Sequence, residues 1–86
     1  MRVMIDKHGH KLKVLEHIIL KNYWEYYVID SPHNEGSIVY CFVMGFENEY
    51  GDVDLNEIRP YIITRTKKLS EVAPAIGYSW EDASDE

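Results

Sequence analysis

Cysteine is almost missing from this chain: Cys41 stands alone among 86 residues, so no internal disulfide can form. That excludes the disulfide-stapled scaffold of many small secreted domains and fits a reducing compartment. Long apolar runs are missing too. The longest, Ile38 to Met44, falls far short of the roughly 20 residues a membrane helix needs, and the opening MRVMIDKHGH lacks the apolar centre of a signal peptide. The expectation is a soluble cytoplasmic protein with no membrane association. Positive charge is also scarce, with nine Lys and Arg against 15 Asp and Glu and a formal net charge of −6. Affinity for nucleic acid comes largely from neutralising phosphates, so nucleic acid is the less favoured partner and a basic protein surface the better one.

Motifs for chemistry are absent as well. There is no G-x-S-x-G, no HExxH and no glycine loop to cradle phosphate. The one thiol lies inside the most apolar segment, where it reads as a small core residue rather than a nucleophile. His8, His10 and His17 invite a metal reading, but three histidines on a turn and the segment after it do not make the fixed geometry zinc requires. They read as solvated turn residues, and His33 falls in a later loop. Asp52-Val53-Asp54-Leu55-Asn56 opens like a calcium loop and then departs from it. Glu57 stands where glycine is required, and Ile63 where a bidentate Glu is required. The expectation is no metal, no cofactor and no catalytic residue.

What the chain does contain is aromatic and β-branched residues, concentrated between Asn22 and Leu55. A hydrophobic content of 45% and an aromatic content of 13% argue against disorder and for one small core. Tyr23 to Asp30 and Ser37 to Met44 read as strands, joined by a turn in which Pro32, Asn34 and Gly36 can reverse the chain. Successive strand side chains alternate between faces, so Trp24, Tyr26 and Val28 share one face and Tyr23, Glu25, Tyr27 and Ile29 the other. Ser37 to Met44 is apolar on both faces. Such a strand belongs in the middle of a sheet, with something packed on each side. Tyr50 to Leu55 is the expected third strand.

Around this centre, Arg2 to Ile5 suggests a short edge strand and Asp6 to His10 a turn built on Gly9. Lys11 to Lys21 fits two patterns: Leu12, Leu15, Ile18 and Ile19 at helical spacing, or an alternation broken by a bulge. The preceding turn favours the strand, as the second half of a hairpin. Asp54 and Glu57 have the spacing of a capping box for one helical turn, which Pro60 should stop by forcing its predecessor out of the helical region. Tyr61 to Thr66 reads as a strand. Ser70 is placed to cap a turn over Glu71 to Ala73 before Pro74. Gly77 to Trp80 reads as a last strand, with Tyr78 and Trp80 on one face. Residues 1–80 then form one compact domain, and residues 81–86 an acidic frayed tail. There is no internal repeat, linker or low-complexity tract.

Trp24-Glu25-Tyr26-Tyr27-Val28, a variable turn, Val39 to Gly45, and then Gly51-Asp52-Val53-Asp54-Leu55-Asn56-Glu57-Ile58 together resemble a family of short bacterial proteins of unknown function carried on plasmids and other mobile elements. The pattern there is a Trp-Tyr strand, a turn, an apolar strand with glycine, and a Gly-x-Val-x-Leu-x-Glu-Leu/Ile segment. The likeness covers residues 24–58. It implies a mobile-element or phage origin and no known enzymatic role, and it transfers no catalytic residue.

These observations lead to an α+β, mostly β fold: a small twisted antiparallel sheet of four to six strands with one or two short helical turns. The leading functional expectation is a non-enzymatic acidic interaction protein, an accessory factor or inhibitor that binds the basic surface of a host protein through Glu47, Glu49, Asp52 and Glu57. One such target is a nucleic-acid-handling enzyme. The alternative is a small nucleic-acid-binding module using Arg59, Tyr61, Arg65, Lys67 and Lys68. A third reading is a structural subunit forming homo-oligomers through a sheet edge.

Overall fold

A computed structural model describes residues 2–82. The strands are β1 (Arg2–Ile5), β2 (Lys11–Leu20), β3 (Glu25–Ile29), β4 (Ile38–Met44), β5 (Asn48–Asp54), β6 (Ile62–Thr66) and β7 (Ser79–Asp82). One four-residue helix, α1 (Leu55–Ile58), and two 3-10 turns, Arg59–Tyr61 and Leu69–Glu71, complete the described elements. All seven strands join one antiparallel sheet in the order β5-β4-β3-β2-β1-β7, with β6 added beside β2. The mostly β expectation holds, with seven strands rather than four to six.

The segment with two patterns is a strand. A register shift between Val14 and Glu16 leaves Leu15 as the extra residue, which inverts the alternation. Val14 therefore faces one side of the sheet while Ile18 and Leu20 face the other. The apparent helical spacing arises from that inversion. β2 is also long enough to hold two partners on one edge: β1 pairs with Lys11 to Val14, and β6 with His17 to Leu20.

β4 is central, as its composition requires, and the sheet is covered on both faces. On one face Ile18, Leu20, Tyr26, Val28, Val39, Cys41 and Val43 pack with Leu55 of α1. Cys41 is fully buried there, and that burial, reinforced by the negative charges of Glu16 and Asp52, pushes its thiol up to about 12. On the other face Met4, Val14, Tyr27, Ile29 and Phe42 lie under the irregular segment after β6, which contributes Leu69, Val72 and Ala75. Tyr27 Oη donates to the Ala73 carbonyl at 3.0 Å, and Trp80 Nε1 to the Val72 carbonyl at 2.7 Å. Each fully buried side chain of this size stabilises by about 1.5–3 kcal/mol, so the two layers together carry a chain that has no disulfide. No helix among the described residues is long and apolar enough to cross a membrane.

Five local expectations need correction. Tyr23 lies outside β3, in the turn before it, with φ 68°. Arg59, before Pro60, remains in the helical region at φ −49° and ψ −45°, because the chain passes from α1 into a 3-10 turn that holds Pro60 near its start. Asp54 caps α1 as expected, accepting from Asn56 N at 2.9 Å, but its second bond comes from Ser37 Oγ, also at 2.9 Å, and not from a capping box with Glu57. The later turn is Leu69–Glu71, without a side-chain cap from Ser70. Finally, Glu81 and Asp82 belong to β7, opposite Val3 and Arg2, so the chain stays paired beyond Trp80. Residues 83–86 of the expected tail lie outside the described residues.

Candidate functional site

Leu20, at the end of β2, is joined to Trp24 by the three-residue loop Lys21-Asn22-Tyr23. Leu20 N donates to the Trp24 carbonyl at 2.9 Å, and Tyr23 N to the Leu20 carbonyl at 2.8 Å. This is a turn followed by a residue in the left-handed region, a position at which glycine is strongly preferred. Here the residue is tyrosine. The Asn22 side chain accepts from Trp24 N at 3.1 Å and helps to hold the loop. Tyr23 is 79% exposed, so burial does little to offset the backbone cost of its conformation.

The pairing of Glu25 with Met44 sets the β4–β5 loop beside this turn. Phe46, in that loop, is 94% exposed, yet its ring is braced edge-to-face on Trp24 with centroids 5.2 Å apart. Gly45 makes the approach feasible: a Cβ there would stand 2.8 Å from the indole ring. Lys21 N donates to the Tyr61 carbonyl at 2.8 Å, which brings a third exposed aromatic to the same end of the sheet. The indole is half-buried against the core and acts as the fixed base of the group.

The four acidic residues do not share one face. Glu47 follows Phe46 in the loop, and Glu49 stands on β5 opposite Val43. Asp52 stands opposite Tyr40, with its side chain on the other side of the sheet, and Glu57 lies on α1. Glu47 and Glu49 are therefore the two acids that adjoin the exposed aromatic end. Asp52 lies along the outer edge of β5, which among the described residues pairs with β4 alone. Charge on such an edge also discourages pairing with another chain.

The basic set is dispersed in turn. Arg59 and Tyr61 precede β6, whereas Lys67 and Lys68 follow it, so its five residues, a span of roughly 17 Å, separate the two pairs. Arg65 is engaged by the buried Glu16, its Nε 2.5 Å from Oε1. Lys67 and Lys68 instead line a groove together with Arg2, a residue outside that set.

Of the histidines, His8 and His10 are exposed in the β1–β2 turn, with His10 Nδ1 2.9 Å from Asp6 Oδ2. His17 is not a solvated turn residue. It is buried on β2, its Nε2 2.8 Å from Glu25 Oε1 and its ring stacked at a tilt on Tyr27. No group of three or more His, Cys, Asp or Glu side chains among the described residues converges as a metal site would need.

The sequence reading missed Tyr23, Trp24 and Phe46 as a group. One signal was available, since Asn22-Tyr23 puts a bulky residue where a short hairpin loop favours glycine. Searches against family models, curated proteins and solved structures find no match for this chain.

Proposed function

We propose that this chain is a non-enzymatic protein-binding module that engages a basic partner through Tyr23, Trp24 and Phe46, flanked by Glu47 and Glu49. The observation that carries the reading is Phe46, a phenylalanine almost wholly in solvent and braced in a defined orientation by Trp24. A preorganised aromatic loses little conformational freedom on binding, and aromatic anchors beside a charged rim are the usual energetic centre of an interface. Glu47 and Glu49 add attraction for Lys or Arg on the partner and raise the association rate. A second reading, self-association, rests on the outer edge of β5, whose seven residues have no further strand partner among the described residues, although Asp52 puts a charge on that edge that opposes it.

Affinity capture from a nuclease-treated host lysate tests the proposal, with wild type compared against Phe46→Ser and against the Glu47→Lys/Glu49→Lys double variant. Phe46→Ser should remove partners retained by wild type while changing stability by no more than about 0.5 kcal/mol, because the side chain is exposed. The charge-reversed variant should bind the same partners more slowly, with the difference shrinking at high salt. Partners retained equally by all three proteins would refute the site. Sedimentation at two concentrations separates self-association from partner binding.

A further inference from the structure

β2 lends one edge to two strands, and the two do not meet. β1 reaches Val14 and β6 reaches His17, so among the described residues Leu15 and Glu16 have no strand partner on that edge. Leu15 is also the bulge residue, and bulges recur where a strand must re-aim a side chain beside a site. A groove of about 530 Å³ opens at this break, within the size range of small-molecule sites. Its floor includes the buried Val14 and Leu69, and the half-exposed Leu15 forms part of its wall.

The charge of the groove opposes that of the molecule. In a chain of net charge −6, Arg2 from the start of β1 lines the groove together with Lys67 and Lys68 from the segment after β6. The one carboxylate lining it among the described residues, Asp82, is paired with Arg2 at 3.4 Å, and the Arg2 guanidinium also lies over the Trp80 ring, 5.1 Å from its centroid. Among the described residues, three cations against one carboxylate leave a formal charge of +2 along the groove, from residues at opposite ends of the chain. Like charges brought together repel, and a bound anion relieves that repulsion.

We propose that this groove binds the phosphate monoester group of a small ligand whose apolar part rests on Leu15, Val14 and Leu69. A monoester carries a charge of about −1.5 to −2 at neutral pH, which matches the excess better than a single carboxylate does. Lys67 and Lys68 bind the phosphate oxygens, Ser70 supplies a hydroxyl at the rim, and Arg2, fixed by Trp80 and Asp82, contributes field rather than a mobile contact. The site is distinct in composition from the aromatic end and does not depend on it.

Titration of the full chain followed by amide chemical shifts tests the proposal, using inorganic phosphate, a nucleoside 5′-monophosphate, the same nucleoside without phosphate, and a single-stranded oligonucleotide. Saturable shifts at Leu15, Lys67, Lys68 and Ser70 are expected with the monophosphate and, more weakly, with phosphate, and none with the bare nucleoside. The Lys67→Gln/Lys68→Gln variant should bind the monophosphate about tenfold or more weakly, the loss expected for a charge-assisted contact. Both lysines are exposed, so the fold should be unaffected, and an unchanged amide spectrum elsewhere in the sheet checks this. Equal affinity in the double variant, no saturable shift with either phosphate probe, or binding by the oligonucleotide alone would overturn the assignment.

Discussion

Three hairpin loops place a residue in the left-handed backbone region, at Gly9, Tyr23 and Gly36, and the first two of these loops fill the position in opposite ways. The β1–β2 loop uses Gly9 at φ 84°, while the β2–β3 loop uses Tyr23 at φ 68°. Around Gly9 the local bonding is dense: Asp6 Oδ1 accepts from His8 N at 2.8 Å and His10 N at 2.9 Å, and Gly9 N donates to the Asp6 carbonyl at 3.0 Å. The second loop has the same kind of side-chain acceptor in Asn22, but a residue whose Cβ makes the conformation costly. The first loop turns the chain with no side chain at its left-handed position. In the second, backbone strain and an exposed aromatic coincide at the end that carries Trp24 and Phe46, the combination expected where stability is given up for presentation of a side chain.

The largest effect should come from the support under the strained loop. Gly45→Ala forces a methyl group into the Trp24 ring, with the added Cβ 2.8 Å from it, and should cost about 1–3 kcal/mol in denaturant unfolding. A neutral result would mean that Trp24 is free to move and that the aromatic group is not preorganised. Gly9→Ala isolates the backbone term, because nothing lies within 4 Å of a Cβ placed there. It should destabilise by about 1–2 kcal/mol, a direct measure of what a side chain costs in this conformation.

Tyr23→Gly is the opposite experiment and should sharpen the contrast most. Relief of strain, less the greater freedom glycine brings to the unfolded chain, should stabilise the fold by up to about 1 kcal/mol while weakening partner binding. A destabilised Tyr23→Gly would show that Tyr23 is held for packing, and the comparison between the loops would fail.

The smallest effect is the response to acid. Burial by itself would raise the Asp6 carboxyl, but hydrogen bonds from the His10 and His8 backbone, together with the His10 ring, hold it below its ordinary value of 3.8. A carboxylate whose pKa is depressed in the folded state stabilises above its unfolded value, and that contribution is lost as pH falls through the folded value. The protection of the β1–β2 loop amides, measured as exchange relative to the intrinsic rate at each pH, should therefore fall below about pH 4 in wild type but show no such step in Asp6→Asn. The Asn22 loop, whose acceptor does not titrate, should show no step in either protein.

The strands around the centre, the burial of Cys41 and the place of β4 were legible in the residue pattern, because a run apolar on both faces has no stable position except between paired neighbours under two covered faces. So was the Asp54 cap, where a short acceptor before a helical turn acts locally. Tertiary structure decided the rest. One bulge at Leu15 settled how β2 divides its side chains between the two faces, and the length of β2 allowed β1 and β6 to share an edge and leave a groove between them. The four acids were legible as a cluster in sequence, but strand alternation sent Glu49 and Asp52 to opposite faces. Likewise, Arg2 could join Lys67 and Lys68, and Phe46 could join Tyr23 and Trp24, only once strand pairing had fixed their register. Local propensity carries no information about which distant segments will become neighbours, and both candidate sites are made from such neighbours.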